Sequence, residues 1–175
     1  MEEIELAIPG CFLSVSDDNL LITSNRPLSS LSTAIYGGGL RTIRYALNHR
    51  LTHYYPSEKD FPGGSVSAYL EECARKLTAD PEESAVLLTA ATVSLYSHKI
   101  IQNGPVTVEI VTTGGVEKTA CRASSPALYR EEEGLFMPLG TINMMVLLKG
   151  RLPDGIMARA FITLTEGKTA ALQDL

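Results

Sequence analysis

The chain has little of what usually advertises a chemistry. Its three cysteines, Cys11, Cys73 and Cys121, are odd in number and far apart. They show neither metal-site spacing nor a disulfide framework, which fits a reducing cytoplasm. Basic runs and basic patches with interleaved aromatics are missing, and the formal charge is −5. Nucleic acid is therefore not expected as a partner. The longest apolar stretch, Ala85 to Ile101, is broken by Ser, Thr, His98 and Lys99. It is too short and too polar to span a bilayer. The beginning, Met1-Glu2-Glu3-Ile4-Glu5-Leu6, is acidic where a signal peptide would be basic. No membrane association is expected.

Catalytic signatures are equally sparse. H-E-x-x-H, H-x-x-E-H, the G-x-S-x-G elbow, Walker spacing and G-x-G-x-x-G do not occur. Nothing singles out a Ser/His/Asp set. His49 and His53 would share a helical face, but no third ligand accompanies them, so no metal is expected. Cys121 beside Arg122 is either an activated thiol or, as is commoner, a buried structural one. Internal repeats and low-complexity tracts are not seen.

What remains is a chain of 175 residues, 45% of them apolar, enough for one domain over 1–175 with a proper core. Ile4, Leu6 and Ile8 alternate with polar residues, so 3–8 reads as a strand ended by Pro9-Gly10. Phe12–Ser16 and Leu20–Ser24 read as a hairpin around Asp17-Asp18-Asn19. Residues 26–30 read as a loop, 32–36 as a short strand and 51–64 as an irregular loop. Leu40, Ile43 and Leu47 fall at i, i+3 and i+7 and predict a helix over 40–49. Val66, Tyr69, Leu70, Cys73, Ala74 and Leu77 predict a second over 66–79, with i, i+4 charge pairs outside. Residues 85–91, 106–112 and the apolar run ending at Leu148 read as strands. A third helix covers 154–172, with Asp154 as N-cap. The fold class is therefore α/β or α+β: a single layered domain whose mixed β-sheet is packed by about three helices.

Small polar residues sit where these elements end. Gly140-Thr141-Ile142-Asn143 leads straight into the apolar run. A strand holds such groups rigidly enough to act on a ligand; the blander alternative is that they only satisfy loop backbone. Gly37-Gly38-Gly39 lies between a predicted strand and a predicted helix. There it would cradle a carbonyl oxygen or oxyanion, or simply turn the chain. Lys168 falls within the apolar stripe of the last helix, either snorkelling or placed to meet something, and Glu166 projects from its flank.

Taken in order, these pieces resemble one family. They are Gly37-Gly38-Gly39-Leu40, Asn48, Leu88-Thr89-Ala90-Ala91, Thr112-Thr113-Gly114-Gly115-Val116 with Arg122-Ala123, Gly140-Thr141-Ile142-Asn143, and Thr165 to Leu172. Their order and spacing look like the adenosylcobinamide amidohydrolases of corrinoid salvage. The resemblance implies a cytoplasmic enzyme that cleaves the amide between the aminopropanol arm and the corrin ring, giving adenosylcobyric acid. It implies no cofactor or metal, a small-molecule corrinoid as substrate or ligand, and leaves a homo-oligomer open. Two departures stand out: Lys118 where the family has Asn-Ala after Gly-Val, and Ser124-Ser125 where Gly-Asp is expected.

A corrin is broad and apolar with an amide rim, so a wide cleft edged by Asn and Thr suits it. On this resemblance the substrate-binding residues are Gly37, Gly38, Gly39, Asn48, Thr89, Thr113, Arg122 and Gly140. The catalytic candidates are Thr141 as nucleophile, Asn143 with nearby backbone N–H groups for the oxyanion, Glu166 as general base and Lys168 as its orienter. Two alternatives stand beside the amidohydrolase. One is a non-catalytic corrinoid carrier or sensor, although Asp-x-His-x-x-Gly, a cobalt-ligating pattern of some carriers, does not occur. The other is an unrelated small α/β domain.

Overall fold

The computed structural model describes residues 3–78, 80–115 and 141–174. Strands β1 (Glu3–Glu5), β2 (Cys11–Val15), β3 (Asn19–Ser32) and β4 (Gly39–Arg50) form an antiparallel meander. β5 (Ser84–Thr89) joins its edge in parallel with β4, with Leu47 opposite Val86. The β2–β3 turn is tied by Ser16, whose N–H donates to the Asn19 carbonyl at 2.8 Å and whose Oγ accepts from Asn19 N–H at 3.1 Å.

Three expectations fail in this sheet. The loop at 26–30 is part of β3, which ends at Ser32, and 32–36 is no strand. A register shift between Thr23 and Leu28 opens the ladder there, so Pro27 takes no N–H away from it. The helix at 40–49 is strand β4. Ile43 and Leu47 are four apart, an even spacing that a strand's period of two satisfies as well as a helix does. Leu40, the residue that completed the helical pattern, is exposed. Thr42, Ile43 and Tyr45 favour a pleated strand paired on both sides.

The crossover from β4 to β5 carries α1 (Val66–Leu77). Ser65 Oγ caps it, accepting from Ala68 N–H at 3.1 Å. Leu70 and Ala74 are fully buried against Leu21, Leu47 and Val86. Its outer Glu71–Arg75 and Glu72–Lys76 pairs are exposed and add little.

On the opposite face lies an antiparallel sheet of β6 (Ser97–Asn103), β7 (Val106–Gly114) and β8 (Ile142–Leu148), in that order. The inter-sheet core contains Leu13, Leu20, Ile22, Val93, Val111 and Met145. Glu109 of β7 is buried there with three partners. Its carboxylate accepts the backbone N–H groups of Ala7 and Ile8 at 3.1 and 3.0 Å, and His98 Nε2 lies at 2.8 Å. A carboxylate so partnered pins the segment between β1 and β2 onto the second sheet.

The last element is α2 (Asp154–Gln173). Its N-cap position is Pro153, without a side-chain cap bond, so Asp154 is helical rather than capping. Among the described residues there are two α-helices instead of about three, in an α+β arrangement. No described helix is long and apolar enough to cross a membrane.

Candidate active site

Because β4 and β5 are parallel, their carboxyl ends lie on the same side of the sheet. Asn48 lies near the end of β4 and Thr89 ends β5. Thr113 comes in near the end of β7, opposite Asn143 at the start of β8. Thr141 immediately precedes β8 and is held by Gly115 N–H, which donates to its carbonyl at 2.9 Å.

Two hydrogen-bonded clusters hold these five side chains, Asn48, Thr113 and Asn143 in one and Thr89 and Thr141 in the other. Asn143 Nδ2 donates to the Leu88 carbonyl at 3.0 Å and to Asn48 Oδ1 at 2.8 Å. Asn48 Nδ2 donates to Thr113 Oγ1 at 2.8 Å. Thr89 Oγ1 accepts Ala91 N–H at 3.0 Å and lies 2.6 Å from Thr141 Oγ1. The Leu88 carbonyl can only accept, so it settles which end of the Asn143 carboxamide faces it. Both Asn143 N–H groups are then used, and its oxygen is the end left to meet a ligand. In this arrangement Asn143 is an acceptor, not the oxyanion donor expected of it. Asn48, Thr89 and Thr113 are buried, so they make the scaffold, while the half-buried Thr141 and Asn143 make the rim.

Next to these clusters, along the same strands, lies a largely apolar cavity of about 730 Å³ that none of the five side chains itself lines. Ala46, Leu87 and Met145, each two residues from Asn48, Thr89 and Asn143, line it. Met157, Ala160, Phe161 and Leu164 of α2 form its opposite side. That size and composition suit a small-molecule site.

Other candidates are not brought here. Gly37 packs at the start of β5, where an added Cβ would lie 1.9 Å from the Ser84 carbonyl oxygen. Ser84 and Thr89 are at opposite ends of β5, roughly 17 Å apart at ~3.3 Å per residue. One at Gly38 would lie 2.2 Å from the Ala34 carbonyl, and Gly39 starts β4. The triple glycine is thus a tight turn that closes on the β5 backbone, not an oxyanion cradle. Glu166 is exposed on the flank of α2 with Ile162, Thr165 and Thr169, and Lys168 is half-buried on the same helix. At ~100° per residue the two point roughly 200° apart, so Lys168 does not orient Glu166. Gly140 and Arg122 lie outside the described residues, as do Lys118, Cys121, Ser124 and Ser125.

His49 faces the other side of the sheet, toward α1. Its Nδ1 lies 2.7 Å from Asn19 Oδ1 and its Nε2 2.6 Å from the Tyr69 hydroxyl. Burial lowers its pKa and the Asp18 charge opposes this; Tyr69 is pushed up, chiefly by burial. Among the described residues, no group of three or more His, Cys, Asp or Glu converges as a metal site. Arg50, which ends β4 two residues past Asn48, has no counterpart in the sequence-based candidates.

The family model for adenosylcobinamide amidohydrolase matches residues 11–175, nearly the whole chain. The chain belongs to that family. Among curated proteins it is similar to the uncharacterised protein MJ1613 of Methanocaldococcus jannaschii, 26% identical over 149 residues. That match covers 78% of this chain and 57% of the relative, so the chain spans little more than half the relative's length. No solved structure matches significantly. In this member of the adenosylcobinamide amidohydrolase family, amide and hydroxyl groups lie beside a largely apolar hollow, a composition usual for small-molecule sites.

Proposed function

We propose that this chain hydrolyses the amide linking the aminopropanol arm to the corrin ring of adenosylcobinamide, in the cytoplasm, releasing adenosylcobyric acid for corrinoid salvage. The observation that carries this reading, beside family membership, is the fixed Asn143 carboxamide oxygen, two residues along β8 from the cavity-lining Met145. It is held by two donated hydrogen bonds to a buried scaffold. An acceptor so fixed takes the N–H of a secondary amide and presents its carbonyl carbon to attack. Thr141, 2.6 Å from Thr89, is the hydroxyl placed beside it. It serves as nucleophile or orients the attacking water. A threonine nucleophile needs a base within reach, and the described rim supplies none.

That last point favours a second reading, a corrinoid-binding protein that holds its ligand without cleaving it. Incubation with adenosylcobinamide separates the two. Release of adenosylcobyric acid and aminopropanol supports hydrolysis; a bound, spectrally shifted corrinoid without product supports the binder. A chain that neither binds nor cleaves it sinks both.

A further inference from the structure

The rim contains one group that the amide chemistry above does not use. β4 carries three arginines. Arg41 Nη2 donates to the Glu82 carbonyl at 2.5 Å, and Arg44 pairs with Glu83 at 3.1 Å and reaches the Asn25 carbonyl at 2.8 Å. Arg50 forms no ion pair among the described residues, although its own N–H donates to the Asp18 carbonyl at 2.8 Å. Its Nε is buried and has no hydrogen-bond partner among the described residues. A buried N–H left unpaired is costly, the more so on a charged group, so it calls for a reason in the molecule's function.

Its position supplies one. Side chains alternate along a strand. Tyr45, Leu47 and His49 face α1, as their contacts with Tyr69, Leu70 and Ala74 show. Ala46 and Asn48 face the second sheet, through the cavity and Thr113. Arg50 is next on that side. Its register partner across the ladder is Thr89, the residue bonded to Thr141. Neighbouring strands lie about 4.8 Å apart. The guanidinium therefore belongs to the same rim as Thr141 and Asn143, a planar fork of donors suited to a carboxylate.

We propose that Arg50 is the anion-recognising residue of this site, binding the carboxylate that amide cleavage leaves on the corrin. The inference rests on the hydrolytic reading. Water adds its oxygen to the amide carbon, the C–N bond breaks, the nitrogen departs as an ammonium carrying both protons of that water, and the acyl side becomes a carboxylate. The neutral amide arrives without charge and gains little from Arg50. The product, and the oxyanion on the way to it, gain a full charge-assisted pair.

The test is equilibrium binding of two probes, adenosylcobinamide and adenosylcobyric acid, to wild type, Arg50→Gln and Arg50→Lys. For Arg50→Gln we expect affinity for the carboxylate to fall about ten- to a hundredfold, while affinity for the amide changes less than about threefold. Arg50→Lys retains part of the carboxylate affinity. In wild type, raising the salt weakens the carboxylate far more than the amide, a readout that needs no variant. Equal weakening of both probes, or of neither, overturns the assignment of Arg50 while leaving the amidohydrolase reading intact. Wild type that binds neither corrinoid overturns that reading and this one with it.

Discussion

At the scale of single residues, the site depends on the direction of its hydrogen bonds. Asn143 donates both amide hydrogens, one of them to a backbone carbonyl. Asn143→Asp keeps the shape and reverses the polarity: a carboxylate then faces the Leu88 carbonyl and the Asn48 oxygen. Urea unfolding should show a loss of about 1–3 kcal/mol, larger than for Asn143→Ala, which leaves the two acceptors unpaired but adds no charge. An Asp variant as stable as wild type would mean that the carboxamide is oriented the other way. His49 offers a separate test by pH. Burial depresses its folded-state pKa below the ordinary 6.5, so the folded protein binds the proton less readily than the unfolded chain. Its contribution is therefore full above about pH 6.5 and is lost as pH falls from there through the depressed folded value. His49→Gln should flatten that part of the stability profile. Urea midpoints at pH 7.5 and 5 for both proteins check it, and parallel profiles would remove His49 as the cause.

At the scale of elements, the turn into β4 makes the sharpest prediction. Gly37 and Gly104 both have positive φ, +66° and +57°, but only Gly37 is crowded. Gly104→Ala should cost about 1–2 kcal/mol for the left-handed backbone alone. Gly37→Ala must also move the Ser84 carbonyl, and we expect a loss at least about 1 kcal/mol greater. Equal losses would show that β5 yields without cost at that point. This turn also shows why the sequence was readable in some places and not in others. The α1 helix was legible because Val66, Tyr69, Leu70, Cys73, Ala74 and Leu77 match only one period, and Ser65 caps them. β4 was not, because Ile43 and Leu47 fit both periods, and what decides between them is pairing with neighbouring strands, one of which, β5, comes far later in the chain. β6 was hidden for a related reason: as an edge strand with Ile100 and Ile101 both exposed, it has no buried face to impose alternation. Asn48, Thr89, Thr113, Thr141 and Asn143 were recognisable as polar residues at element ends. Their convergence in two neighbouring clusters was not, since the parallel β4–β5 ends and the second sheet bring them together. Glu166 and Lys168 looked like neighbours along the chain, yet a helix turns them to different sides.

At the scale of the whole molecule, stability and ligand binding are carried by different parts. The buried side chains belong to the two sheets, α1 and the segments that connect them, whereas none of α2 is buried. Yet Met157, Ala160, Phe161 and Leu164 of α2 line the same cavity as Ala46, Leu87 and Met145. A helix in that position adds little to the core and much to whatever fills the hollow. The two roles separate in a pair of variants. Leu70→Ala, at a fully buried site under α1, should lower stability by about 2–5 kcal/mol. It should leave adenosylcobinamide affinity of the folded fraction unchanged, since Leu70 faces away from the cavity. Phe161→Ala should do the converse. The unfolding midpoint moves little, by under about 1 kcal/mol, while affinity falls about tenfold or more, because most of an aromatic ring's apolar contact with the ligand is lost. Isothermal titration and urea unfolding on the same preparations give both numbers. If Phe161→Ala costs as much stability as Leu70→Ala, α2 is part of the core. If it leaves corrinoid affinity untouched, the hollow beneath the helix is not where the corrin lies.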